Sequence, residues 1–84
     1  MMVYYITFRS VTAAQRGERV LQTAGVRPVL LRTPKWMESQ GCGYSLRIRT
    51  DELWPVVSML REKSIAFRRI YVQTADGTLE EVAV

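Results

Sequence analysis

The stretch of residues 27–49, RPVLLRTPKWMESQGCGYSLRIR, decides how the chain must fold. Its opening part, residues 27–33, is rich in branched aliphatic side chains and reads as a strand. Its closing part, residues 44–49, alternates with period two, so Leu46 and Ile48 turn inward and Ser45, Arg47 and Arg49 outward. Between them, residues 34–43 carry proline, glycine and polar residues and predict a loop, long for a domain of this size. Two strands therefore follow each other with no helix between them. Pro28 has no N–H to give to a sheet ladder, which makes it the first residue of its strand or puts that strand at an edge.

Upstream, residues 3–8 alternate and are rich in aromatic and β-branched residues, predicting a first strand. Tyr4, Ile6 and Phe8 would line one face, and Val3, Tyr5 and Thr7 the other. Ser10 and Thr12 are candidate N-caps of a helix reaching Ala24, with Ala13, Gly17, Val20, Leu21 and Ala24 on its apolar face. Gly25 supplies a left-handed stop. Gly17, costing up to ~1 kcal/mol in mid-helix, predicts close helix–sheet packing. Downstream, Thr50 or Asp51 would cap a second helix to about Lys63, striped by Leu53, Val56, Val57 and Leu60, with Pro55 in its first turn. Trp54 is expected in the helix–sheet core. Residues 65–73 read as a fourth strand, with Arg68 and Arg69 on a solvated edge. Asp76-Gly77 marks a turn, after which residues 78–84 form either a short extra strand or a frayed tail.

The order β-α-β-β-α-β predicts an α+β, ferredoxin-like sandwich. Its antiparallel sheet would run 4-1-3-2 with two helices on one face. Eighty-four residues make a single domain, 1–84, without repeats or linkers.

Apolar residues make up 48% and charged residues 24%, which marks a globular chain. No apolar run approaches the ~20 residues of a membrane span. The opening MMVYYITFRS lacks the pattern of a secretory signal, and one cysteine cannot form an internal disulfide, so a cytoplasmic setting is expected. The net charge is +4, and ten of twelve cations are arginine. Arginine suits binding of carboxylate, phosphate or sulfur anions. The same bias also follows from a GC-rich genome.

Cys42, between Gly41 and Gly43, is the only cysteine. Flanking glycines remove side chains that would shield its sulfur, and their backbone N–H groups can turn toward an anion. Lys35 and Arg47 are near in sequence and favour a thiolate, while Glu38 opposes it. The other reading of Cys42 is a small residue filling a tight turn, and the residues alone leave both open. The chain has no histidine, which excludes Cys-His nucleophilic catalysis and a Cys/His zinc site. No cofactor or metal is expected, and a carrier fits better than a stand-alone enzyme.

The chain resembles a family of small bacterial and archaeal selenium/sulfur carrier-like proteins. The likeness rests on Tyr4-Tyr5-Ile6-Thr7-Phe8, Ala24-Gly25, the Thr33-Pro34 pair closing a strand, the loop into Cys42-Gly43, and Arg47 in the strand beyond. It covers residues 3–72 and leaves 73–84 as a tail or extra strand. Where the family carries an Ile-Ser-Ser-like stretch, this chain has Met37, Glu38, Ser39, Gln40 and Gly41, leaving Ser39 to solvate the sulfur. The resemblance implies Cys42 as the carrier thiol, with Pro34, Lys35, Ser39, Gly41, Gly43 and Arg47 around it. It also implies a persulfide or selenopersulfide received from a donor such as a cysteine desulfurase and passed to an acceptor enzyme.

Two other functions fit the same elements. The β-α-β-β-α-β order also builds the RNA-recognition motif, and Tyr5 and Tyr71 could join Ser45, Arg47 and Arg49 on an open sheet face. Alternatively the domain is an association module, such as a homodimer, with Trp36, Met37 or Trp54 as anchors. Trp36, in a polar loop, is the better anchor of the two tryptophans.

Overall fold

The computed structural model describes residues 2–33 and 43–84. Seven elements follow one another: β1 (Met2–Phe8), α1 (Val11–Thr23), β2 (Val29–Arg32), β3 (Tyr44–Thr50), α2 (Trp54–Glu62), β4 (Ile70–Gln73) and β5 (Leu79–Val82). The strands form one antiparallel sheet in the order β2-β3-β1-β4-β5. Each helix-containing connection skips one strand: β3 lies between β1 and β2, and β1 between β3 and β4. The arrangement is compatible with a ferredoxin-like fold. The expected order 4-1-3-2 is extended at one end, because β5 pairs with β4 and takes the edge from it.

Strand alternation separates the faces as the side-chain period requires. Ile6, Phe8, Leu46, Ile48 and Ile70 are buried and form a core with Ala14, Leu21, Leu53, Val56, Val57 and Leu60 from the helical side. Tyr4 and Tyr44 pack against its margin. The opposite face carries Val3, Tyr5, Thr7, Ser45, Arg47 and Arg49.

The first helix begins as predicted, with the Ser10 hydroxyl accepting the Ala13 N–H at 3.1 Å. Gly25 ends it at a φ of +86°. Ala14, not foreseen, is buried, whereas Ala24 is exposed. A Cβ built on Gly17 would stand 3.1 Å from Phe8 Cζ and 3.3 Å from Leu46 Cδ1, so glycine permits the close approach of α1 to β1 and β3.

Several sequence expectations are corrected. β2 starts at Val29 rather than Arg27, so Pro28 precedes the ladder, and β2 is the sheet's edge. Thr50 does not cap α2: its hydroxyl accepts the Glu52 N–H at 3.2 Å, while the N-cap position is Leu53 with no side-chain hydrogen bond. Trp54 is 57% exposed, not core. It sits about 100° around the helix from Leu53, outside the stripe of Val56, Val57 and Leu60. β4 starts at Ile70 rather than Ile65. Arg69 is exposed and Arg68 half-buried, but their backbone is paired with β1: Arg68 donates its N–H to the Thr7 carbonyl at 2.7 Å and the Thr7 N–H donates to the Arg69 carbonyl at 2.8 Å. Two residues thus face one, as in a β-bulge.

The turn joining β4 to β5 is closed by Asp76, which accepts from the Thr74 hydroxyl and, at 3.0 Å, from the Thr78 N–H. Gly77 supplies the positive φ of +89°. Among the described residues, no helix is long and apolar enough to cross a membrane.

Two measurements test these contacts. Gly17→Val should lower unfolding free energy in urea by about 1–3 kcal/mol, because the Phe8 and Leu46 side chains it would meet are fully buried. The hydrogen bonds from Thr74 and then Thr78 hold the Asp76 carboxyl at about 2, below its ordinary 3.8. Its folded-state value being depressed, its contribution to stability is present above 3.8 and is lost as pH falls toward 2. Asp76→Asn should therefore show a shallower loss of stability across that window in acid titrations followed by circular dichroism.

Candidate functional site

The strands leading into and out of the cysteine loop are held together where the loop begins and ends. Arg32 pairs with Tyr44 in the β2–β3 register, and Thr33 then donates its N–H to the Gly43 carbonyl at 3.0 Å. Gly43 is buried. The Thr33 and Ser45 hydroxyls share a 2.6 Å hydrogen bond. On the helical face the Arg32 guanidinium lies 5.7 Å from the centroid of the Tyr44 ring, a cation–π contact spanning the same two strands.

A polar ledge continues from this clamp into the sheet. Ser45 is opposite Thr7 in the β1–β3 register. The Thr7 hydroxyl donates to the Arg69 carbonyl at 3.3 Å and accepts the Arg69 N–H at 3.0 Å. Thr33, Ser45 and Thr7 are all buried although they lie on the face away from the helices. Ser45, expected to point outward, does so relative to the core and is nonetheless 0% exposed. Every buried side-chain oxygen or nitrogen among the described residues has a partner. The alternation of strand 3 signalled the face of Ser45. Its burial and its bond to Thr33 depend on register across β2 and had no local signal.

Of the predicted site residues, Gly43 and Arg47 are described. Cys42, Pro34, Lys35, Ser39 and Gly41 lie outside the described residues, as do Trp36, Met37 and Glu38. Gly43 is joined in sequence to Cys42, so the clamp adjoins the thiol residue directly. Arg47 lies four residues further along β3, a backbone separation of roughly 13 Å at strand rise. It shares a cross-strand row with Val29, Tyr5 and Tyr71. Tyr44, in contrast, faces the helices with Phe8. Among the described residues, no group of three or more His, Cys, Asp or Glu side chains is placed to hold a metal ion.

The Thr33–Ser45 pair should be coupled. Thr33→Val or Ser45→Ala alone leaves one buried hydroxyl without its partner and should cost about 1–3 kcal/mol. The double variant should lose less than the sum of the two. A double-mutant cycle in urea measures the difference, and strict additivity would show that the bond contributes nothing to holding the loop's ends.

Compared with known proteins, the chain matches a family model over residues 3–72, a span that runs from most of β1 through most of β4 and includes the whole cysteine loop. No curated protein matches it, and no solved structure does. The chain belongs to the family described as "Putative Se/S carrier protein-like".

Proposed function

We propose that the protein carries sulfur or selenium as a persulfide or selenopersulfide on Cys42. The observation that carries this reading is the family match, which runs through the chain's only cysteine and both strands flanking its loop. The clamp at Thr33, Gly43 and Ser45 supports it physically, by fixing the two ends of that loop to the sheet.

The exchange is balanced without an external oxidant. The Cys42 thiolate attacks the terminal, sulfane sulfur of a donor enzyme's persulfide. The donor's S–S bond breaks, a new S–S bond forms on Cys42, and the donor cysteine leaves as a thiolate. An acceptor thiolate then repeats the step on the loaded carrier. With selenium, the same exchange forms and breaks S–Se bonds. The donor is a persulfide-forming enzyme such as a cysteine desulfurase, and the carrier itself catalyses no bond making beyond this exchange.

Gly41 and Gly43 leave room for a partner's active site to reach the sulfur. Pro34 starts the loop as Thr33 leaves the ladder, and Ser39 supplies a hydroxyl to solvate the anionic intermediate. Lys35, near Cys42 in sequence, is the cation that favours the thiolate. Arg47 acts at longer range: it is five residues from Cys42 in sequence, and its backbone stands roughly 13 Å from that of Gly43, beyond the ~8 Å over which salt screens charges at physiological ionic strength, so its contribution is the smaller one.

Incubation with a cysteine desulfurase and labelled cysteine should load the wild-type protein with sulfur that excess reductant releases. Cys42→Ser should take up none. Wild-type protein that accepts neither sulfur nor selenium from persulfide or selenopersulfide donors would overturn the proposal.

A further inference from the structure

The face of the sheet not covered by helices is chemically uneven from one edge to the other. Toward β2 and β3, a cleft of about 460 Å³ is lined by Arg27, Arg47 and Arg49 with Gly25, Val26 and Val29. The α1–β2 connection forms one wall and the open sheet face the other. Three arginines line it, and among the described residues no acidic one does. Arg47 and Arg49 stand two residues apart on one strand, about 7 Å at strand rise, on the same side. Toward the opposite edge the sign reverses: Glu81 of β5 is in register with Tyr71 on this face, and the turn before β5 carries Asp76.

Aromatic rings lie beside the cations. In the cross-strand register Arg47 is opposite Tyr5, Tyr5 is opposite Tyr71, and Tyr71 is opposite Glu81. Both tyrosines are half-buried side chains of the open face, and Val29, 42% exposed, flanks Arg47 on its other side.

A row of cations alone would suit any polyanion, including an acidic protein segment. Planar rings next to guanidinium groups favour an occupant that brings both phosphate charge and flat bases. We infer that this face binds a single-stranded polynucleotide, with phosphates on Arg27, Arg47 and Arg49 and a base stacked on Tyr5. The acidic β5 edge confines the strand to the β2–β3–β1 side. This binding does not depend on the chemistry of Cys42.

The test is a fluorescence-anisotropy titration of the full chain with a labelled mixed-sequence RNA of about ten nucleotides, within the site size of small single-strand binders. Arg47 is left in place because the carrier reading also uses it. Wild-type protein should bind at about 50 mM salt, with affinity falling as salt rises. Arg27→Glu/Arg49→Glu should bind at least about tenfold more weakly and show a salt slope shallower by about 1.4, two contacts at ~0.7 each. Tyr5→Leu should lose about fivefold or more through lost stacking. Tyr5→Phe should bind like wild type and guards against a folding defect, which circular dichroism checks for every variant. Wild-type protein that fails to bind would overturn the inference. So would equal affinity for the duplex of the same sequence, or a folded Tyr5→Leu variant that binds like wild type, since either means general attraction to polyanions.

Discussion

At Gly17 the first helix meets the sheet with no room for a side chain, with Phe8 of β1 and Leu46 of β3 directly beneath it. The two strands that supply those side chains are adjacent in the sheet, in the register Ile6↔Leu46 and Phe8↔Tyr44. Removing a side chain from α1 at this point lets the helix settle between them and bury Leu21 and Ala14 alongside. The remaining elements follow from that seat. β2 must lie beyond β3 and β4 on the other side of β1, because neighbouring positions on β1 are already filled in turn by β3 and β4. The glycine's unfavourable helix propensity, up to ~1 kcal/mol, is offset by the packing that its missing Cβ allows.

The same sheet order brings together the two residues that flank the cysteine loop, Thr33 and Gly43. β2 and β3 are neighbours in sequence and in space, so the chain between them leaves and rejoins the sheet at Thr33 and Gly43. Two backbone-anchored hydroxyls, Thr33 and Ser45, cross-link those strands, and Thr7 extends the polar ledge to the bulge at Arg68 and Arg69.

Charge is divided across the molecule as well. Arg27, Arg47 and Arg49 gather near the β2–β3 edge, whereas Asp76, Glu80 and Glu81 belong to the β4–β5 hairpin. β5 therefore does two things. It satisfies the backbone groups of β4 that would otherwise form an exposed edge, and it places acidic side chains at the new edge, where repulsion disfavours edge-to-edge association of identical strands.

Amino-acid order by itself determined the element types, the Ser10 cap, the Gly25 stop, the inward faces of the strands and the identity of the single thiol. These are local properties, set by side-chain period, hydroxyl capping and backbone φ, and they operate within a few residues. It misassigned Trp54, because a bulky apolar side chain near a stripe is not thereby on it, and it gave no sign of the backbone pairing of Arg69 with Thr7, sixty-two residues away in sequence. Tertiary structure alone decided that Ser45 is buried against Thr33 and that Arg47 stands in a row with Tyr5 and Tyr71. It also decided that residues 79–82 form a strand. Each of these depends on which strands become neighbours and in what register, and cross-strand distances are fixed only once helices and sheet have packed.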